Sequence, residues 1–382
     1  MIDYDSLRDK YDSFKLPRVV IKVNGKNISD DKSGFSLNDI IIEMTCGFEA
    51  SVAEFKIFNT YDVYSHAFRF EEVKKYIFLG SSVDIAVGYS TSVTPVFKGF
   101  ISQVNFIYRM GEIPGVEVHC MDIKGIMMAN EYAKQISADC YSDAVKQLMD
   151  QSFYQKLMGD DKVFKSLSIQ DTPDKKAGGG GGGNETTDQT IEMVNESDYE
   201  FVVRAAKRFN YEFFQFYDTL MFRKAKADTQ DQMKMSPETG MMAFEIGYDI
   251  TGLSGKVEVR NVDPAKGKMV KAAKKLQSKM SMGSKAKPLI QKQSKIYIDP
   301  TAATQQDAEY RADYLLEQMS YRFGTLEADL IGLPEIMPGK FVSVDGLGKG
   351  ASNRFYITQV KHSMEQEGFF QTHVSGKAAT LE

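Results

Sequence analysis

Tryptophan is absent from the 382 residues, and the chain has only three cysteines, four histidines and ten prolines. Cys46, Cys120 and Cys140 make an odd set without ligand spacing, which speaks against a disulfide framework and against a cysteine-bound metal. The same usage points to reduced thiols of a cytosolic assembly. No apolar run approaches the roughly 20 residues that a membrane helix needs. The opening segment, MIDYDSLRDKYDSF, is acidic and lacks the apolar core of a signal peptide. A net charge of −5 leaves no basic excess of the kind a general nucleic-acid binder carries.

What is present is a chain able to bury a core, with 42% hydrophobic residues and a length that implies two or three domains. Its 19 Tyr and 25 Phe favour half-buried strands. Alternation and turn residues predict strands over 18–23, 37–45, 53–59, 83–89, 96–101 and 116–121, a density that reads as a small barrel or sandwich. Gly99 would permit a sharp bend or a close backbone approach within its strand. Asp122 opens a short helix, and a second capped helix is predicted over 142–153. The six glycines at 178–183 have no side chains to shape a phosphate cradle and no following Gly-Lys-Ser/Thr, so they read as a flexible connection.

The richest stretch is 189–224. Ser197 and Glu200 form the S-x-x-E pattern in which each side chain satisfies an orphan amide of the first helical turn. Phe201, Ala205 and Phe209 then recur every four residues, giving the helix one apolar face. Asn210 suits the left-handed residue that ends a helix, and aromatic strands flank Asp218-Thr219. Residues 264–298 hold ten lysines and no acid, which leaves −15 on the rest of the chain. This segment reads as a solvated loop with a helical piece near 270–279. The sharper alternative is an electropositive interface arm carrying Lys266, Lys268, Lys271, Lys274, Lys275 and Lys279. Thr304 and Asp307 cap a helix ending before Gly324, and strands follow at 325–330, 340–344, 354–360 and 369–375.

Three blocks together carry a family resemblance. Asn195, Glu196, Ser197, Asp198, Phe201 and Arg204 match an N-E-[ST]-D-x-x-F-x-x-R pattern that precedes an aromatic strand pair. Gly80 to Val83, Phe97 to Ile101 with Gly99, and Val118 to Asp122 follow the order of a hub's first barrel. Gly332, Pro334, Pro338 and Gly339 form the G-x-P-x-x-x-P-G run before a last alternating strand. The sequence thus resembles the phage tail baseplate hub family: late control protein D, the T-even phage tail hub and the hub portion of VgrG.

The fold class expected from both lines is α+β, mainly β, with two small β-barrel domains joined by a helix-plus-hairpin middle region. The divisions are a first barrel at 1–125, a helical segment with the glycine linker at 126–190, and the capped helix and hairpin at 191–262. A lysine-rich arm at 263–300 and a helix with the second barrel at 301–382 complete the chain. The resemblance implies a structural hub that trimerises into a pseudo-sixfold ring between a threefold spike and a sixfold tail tube. Implied partners are its own copies, a separate spike protein, the tail tube or its initiator, and other baseplate components. No specific nucleic-acid binding is implied. The implied location is the baseplate of a virion or injection particle assembled in the bacterial cytoplasm. Because the sequence ends soon after its last strands, the spike is expected on another chain unless this one is cut short.

Two competing classes are a peptidoglycan-degrading tail enzyme and a trimeric receptor- or glycan-binding module. For catalysis, Cys46 and Cys120 lie at or within strands and Cys140 precedes a helix. His66, His119, His362 and His373 show no local triad signature. The expectation is no enzyme, no catalytic residue, no cofactor and no metal. Deleting residues 178–183 is expected to leave the cooperative thermal unfolding transition intact; a collapse of that transition would overturn the linker assignment.

Overall fold

The computed structural model describes residues 1–30, 32–175, 190–262, 267–276, 285–348, 351–365 and 368–381. The glycine run 178–183, Lys266 and Lys279 lie outside these described residues. The protein is α+β and mainly β.

Helix α1 (Tyr4–Lys10) starts at Asp3, whose carboxylate accepts the Ser6 amide at 2.9 Å. The first half then runs through β1 (Pro17–Val23), β2 (Lys26–Asn27), β3 (Leu37–Thr45), β4 (Val52–Ile57), β5 (Tyr61–Asp62) and β6 (Ala67–Phe68). Helix α2 (Phe70–Val73), β7 (Ser82–Tyr89), β8 (Ser92–Ile107), β9 (Gly115–Met121) and α3 (Ile123–Met127) follow. Period-two alternation decides which face is buried. Ala53, Phe55 and Ile57 of β4, and Val116, Val118 and Cys120 of β9, point into the core. Gly99 lies on β8 where a Cβ would stand 2.2 Å from the Met121 carbonyl oxygen of β9, so a side chain is excluded there.

The middle region comprises β10 (Tyr132–Ser137), α4 (Tyr141–Met149), α5 (Ser152–Lys156), β11 (Ser166–Ile169), β12 (Thr190–Glu196), α6 (Asp198–Phe209), β13 (Tyr211–Phe216) and β14 (Thr219–Lys224). The apolar face of α6 (Phe201, Val202, Ala205, Ala206, Phe209) packs into a core of its own with Val145, Leu148, Phe213 and Phe222. Asn210 ends the helix at φ 57°, ψ 52°, a left-handed conformation that Asn tolerates. Strands β13 and β14 form the expected hairpin, and β11 adds in parallel to β14.

The remainder consists of β15 (Asp231–Met235), β16 (Met241–Tyr248), β17 (Lys256–Val262), β18 (Met269–Lys275), α7 (Ala286–Gln291), β19 (Ser294–Ile298) and α8 (Gln305–Ser320). It ends with β20 (Gly324–Ile331), β21 (Phe341–Val344), β22 (Asn353–Met364) and β23 (Phe370–Ala378). The lysine-rich segment departs from expectation. Where a loop with a helical piece was predicted, β18 and β19 flank β17 in a three-stranded sheet. The reason is a short period-two pattern masked by lysines: Val270 and Ala272 turn inward and pack with Ala308 and Ala312 of α8.

Strands of both halves lie in one 13-stranded sheet with the path β16-β20-β23-β22-β3-β4-β9-β8-β7-β1-β2, and β21 and β15 branch from β22. The join is antiparallel β22–β3 pairing, from Gln359 opposite Thr45 to Met364 opposite Ile40. Among the described residues this path is open and no closed barrel is found. The strands expected in two small barrels are joined here in a shared sheet. Its apolar face gathers Ile42, Phe55, Ile85, Val118, Leu326, Val360 and Val374 into a single core. Spacing along the chain carries no information about pairing between strands some 300 residues apart.

His362 sits on this seam. It is 1% exposed, its Nδ1 lies 2.9 Å from Thr372 Oγ1, and its Nε2 is buried without a hydrogen-bond partner among the described residues. Burial holds its pKa down to about 3, so the unfolded chain takes up a proton below pH 6.5 that the folded chain refuses. The resulting stability is present above about pH 6.5 and is lost as the pH falls toward 3. His362→Gln is expected to flatten this fall by about 1.4 kcal/mol per pH unit in urea titrations between pH 6 and 4. Parallel slopes for the two proteins would contradict it.

Candidate functional site: helix cap, seam loop and polar sheet face

Of the signature residues, Ser197, Asp198 and Phe201 are buried, Glu196 and Arg204 are partly exposed and Asn195 is exposed. Ser197 Oγ accepts the Glu200 amide at 3.1 Å, and Glu200 accepts the Ser197 amide at 2.8 Å, closing the capping box. Asp198 is 1% exposed, and its carboxylate accepts from Asn130 Nδ2 at 2.7 Å, Tyr154 OH at 2.5 Å and Tyr132 OH. Burial and the neighbouring Asp198 carboxylate push the Tyr132 phenol up to about 12 and raise Tyr154 as well, so both remain donors. Asn195 takes a positive φ of 51° and donates to Glu131 at 2.7 Å. Glu196 holds Arg204 by two contacts, 2.6 and 3.1 Å, and Arg204 also donates to the Glu192 carbonyl at 2.8 Å. Arg204 is thereby engaged within its own chain, tying β12 to α6. Phe201 is fully buried beneath its guanidinium, 5.3 Å away.

The loop between β20 and β21 is the second constellation. The Gly332 amide donates to the Phe370 carbonyl at 2.8 Å, its own carbonyl accepts Tyr89 OH at 3.0 Å, and a Cβ there would meet the Phe370 ring at 2.1 Å. Pro338 is buried, and Gly339 follows at φ 81°, where Gly is favoured. The Gly339 carbonyl accepts Arg223 Nη2 at 2.6 Å from the β13–β14 hairpin. Arg223 in turn meets buried Glu212 at 3.3 Å, and Glu212 accepts Tyr356 OH at 2.5 Å. This loop thus fastens the first half, the hairpin and the last strands together. Asp122 plays a like part at α3, accepting the amides of Ser51 (2.8 Å) and Lys124 (2.9 Å). Its carboxyl faces the buried Lys124 ammonium at 3.8 Å, whose pKa is lowered by burial.

The face of the sheet opposite the core is polar across both halves. His373 on β23 lies between Asp329 (2.7 Å) and Glu327 (3.1 Å) of β20. Lys361 of β22 pairs with Glu43 of β3 at 3.3 Å across the seam. Further along, His119 of β9 lies 3.3 Å from Glu54 and 3.5 Å from Glu117. Of the lysines expected in an interface arm, Lys271 pairs with Glu258 (3.2 Å) and Lys274 with Asp313 (2.9 Å), while Lys268 and Lys275 are exposed. All three thiols are buried and their pKa values raised, Cys46 to about 12, by desolvation above all. An apolar surface stands out near α2, where Phe70, Phe106, Tyr108, Met110 and Ile113 are exposed.

A family model described as the Alg8 N-terminal domain matches residues 13–366. The chain belongs to this family. No curated protein matches it. The fold seen here is shared with solved tail proteins. A tail protein from Neisseria meningitidis MC58 is 14% identical with a TM-score of 0.65, over 95% of this chain and 96% of that one. The 43 kDa tail protein of prophage MuSo2 from Shewanella oneidensis is 12% identical with a TM-score of 0.65, over 95% and 98%. An Escherichia coli component of the type VI secretion system, itself described as similar to T4 tail proteins, is 10% identical with a TM-score of 0.54, over 93% and 76%. The chain thus shares a mainly β fold with these tail proteins over 93% to 95% of its length.

In this Alg8 N-terminal domain chain, sequence reading located the cap but missed Asn130, Tyr132 and Tyr154 as the donors to Asp198, because they lie 44 to 68 positions away. It also missed Glu212 and the histidine–carboxylate groups, for which alternating Glu117 and His119 on one strand were the available signal. Asp198→Ala leaves three donors unmatched, the buried Tyr154 hydroxyl among them, and is expected to cost about 3 kcal/mol in urea unfolding. Arg204→Ala breaks a half-exposed pair and should cost about 1 kcal/mol. The reverse ranking would refute this account of the cap.

Proposed function

We propose that the chain is a structural baseplate hub of a contractile tail or phage-like injection system. Three copies form a ring that adapts a threefold spike to a sixfold tail tube. The observation that carries this reading is the end-to-end fold likeness to tail proteins, together with two β-rich halves joined in one sheet. A chain with two such halves gives, in three copies, true threefold and approximate sixfold symmetry, and symmetry decides which partners dock. Other copies of the chain, a separate spike protein, the tube or its initiator and further baseplate components are the partners of this role. Its place is the particle baseplate, assembled in the bacterial cytoplasm. The work is binding and not catalysis, a reading supported by thiols that are buried and held protonated and by carboxylates engaged in caps and ion pairs.

Light scattering of the purified chain, alone and mixed with its spike and tube proteins, tests the proposal, with negative-stain images of the same peak. A threefold mass and rings with a central hole are expected. A chain that remains monomeric with every baseplate partner would overturn the hub assignment, and binding to cell-surface glycans in place of ring formation would favour a receptor-binding module.

A further inference from the structure

The polar face of the sheet holds two histidine–carboxylate groups that differ in one respect. At His373, Asp329 contacts Nδ1 and Glu327 contacts Nε2, and Ser375 Oγ donates to Glu327 at 2.6 Å, so the ring bridges two carboxylates. At His119 the donors converge. Glu54 lies directly opposite His119 in the β4–β9 register, and Glu117 precedes His119 by two residues on the same face. One ligand atom from each of Glu54, Glu117 and His119 lies within 4.8 Å of the other two. Neither carboxylate has a Lys or Arg within 4.0 Å among the described residues. Lys56, opposite Glu117, instead places its ammonium 4.9 Å from the centre of the Phe58 ring. Asn105 Nδ2, from the adjacent strand β8, stands 3.2 Å from His119 Nε2.

We propose that Glu54, Glu117 and His119 form a binding site for a divalent metal ion of borderline hardness, with zinc the best fit. Two carboxylates and one imidazole suit such ions, and ligand atoms around tetrahedral zinc lie about 3.3 Å apart. The three ligand atoms, within 4.8 Å of one another, need to draw in by about 1 Å to reach that spacing. The two carboxylates face different ring nitrogens, so one nitrogen coordinates and the other, which then carries the proton, donates to an acceptor; the Asn105 amide serves only when turned so that its oxygen faces the ring. All three side chains are half-exposed, which leaves room for the carboxylates to rotate onto the ion and for water to complete its shell. The ion supplies the positive charge that the adjacent carboxylates otherwise lack. The site lies within one chain and does not depend on the hub assignment.

The test is zinc titration calorimetry on tag-free, chelator-stripped full-length protein, with cobalt as a spectroscopic probe of the coordinating nitrogen. The expected result is one zinc per chain, with His119→Ala and Glu117→Gln each weakening binding about tenfold or more. His373→Ala should bind as the parent does. Glu117→Gln keeps shape and length, so it reports on the ligand even if His119→Ala lowers stability. Absence of zinc uptake by the parent protein, or undiminished uptake by both His119→Ala and Glu117→Gln, would overturn the proposal. Loss of uptake on His373→Ala alone would move the site to the other histidine and overturn it equally.

Discussion

The pairing of β22 with β3 is the constraint on which the rest of the structure depends. An antiparallel ladder fixes register as well as proximity, since a slip by one residue would turn every core side chain outward. With Val360 opposite Met44 and His362 opposite Ile42, the inward residues of both halves fall on the same side and merge into a common core. The outward residues of the same strands, Lys361 and Glu43, then face each other as an ion pair.

Around that ladder the molecule is stitched by polar contacts to backbone and by a small apolar cluster of Cys46, Phe214, Phe341 and Tyr356. The loop from Gly332 to Gly339 accepts Tyr89 from one side and Arg223 from the other, and its glycines stand where a side chain would collide with Phe370 or Phe214. Glu212 and Asp122 are buried carboxylates whose pKa values desolvation raises, a cost that nearby cations and amide donors offset only in part. Such groups hold orientation between packed units more than they add net stability. This fits a chain whose middle region has a core separate from that of the long sheet.

Much of the local structure was legible because it rests on short-range chemistry. The capping box at Ser197 and Glu200, the left-handed Asn210, the alternation of β4 and β9 and the crowding at Gly99 each need only a few neighbouring residues to be read. Long-range choices were not legible. The union of the two expected barrels depends on which strand edges meet, and β18 was hidden because lysine is indifferent to helix, strand or loop on an exposed face. At the candidate sites, the donors to Asp198 and the approach of Glu54 to His119 arise from tertiary and cross-strand placement. No linear motif encodes these contacts.

The seam also has a consequence for the life of the chain before it is complete. The edge of β3, which ends at Thr45, waits for a partner that begins at Asn353, so all the chain between them must leave the ribosome before the ladder closes. Such distant contacts slow folding, and an unpaired apolar edge in the interval is a template for pairing with other chains. Synthesis halted before β22 therefore yields a product with an open edge and half a core, one that demands chaperone protection or rapid degradation.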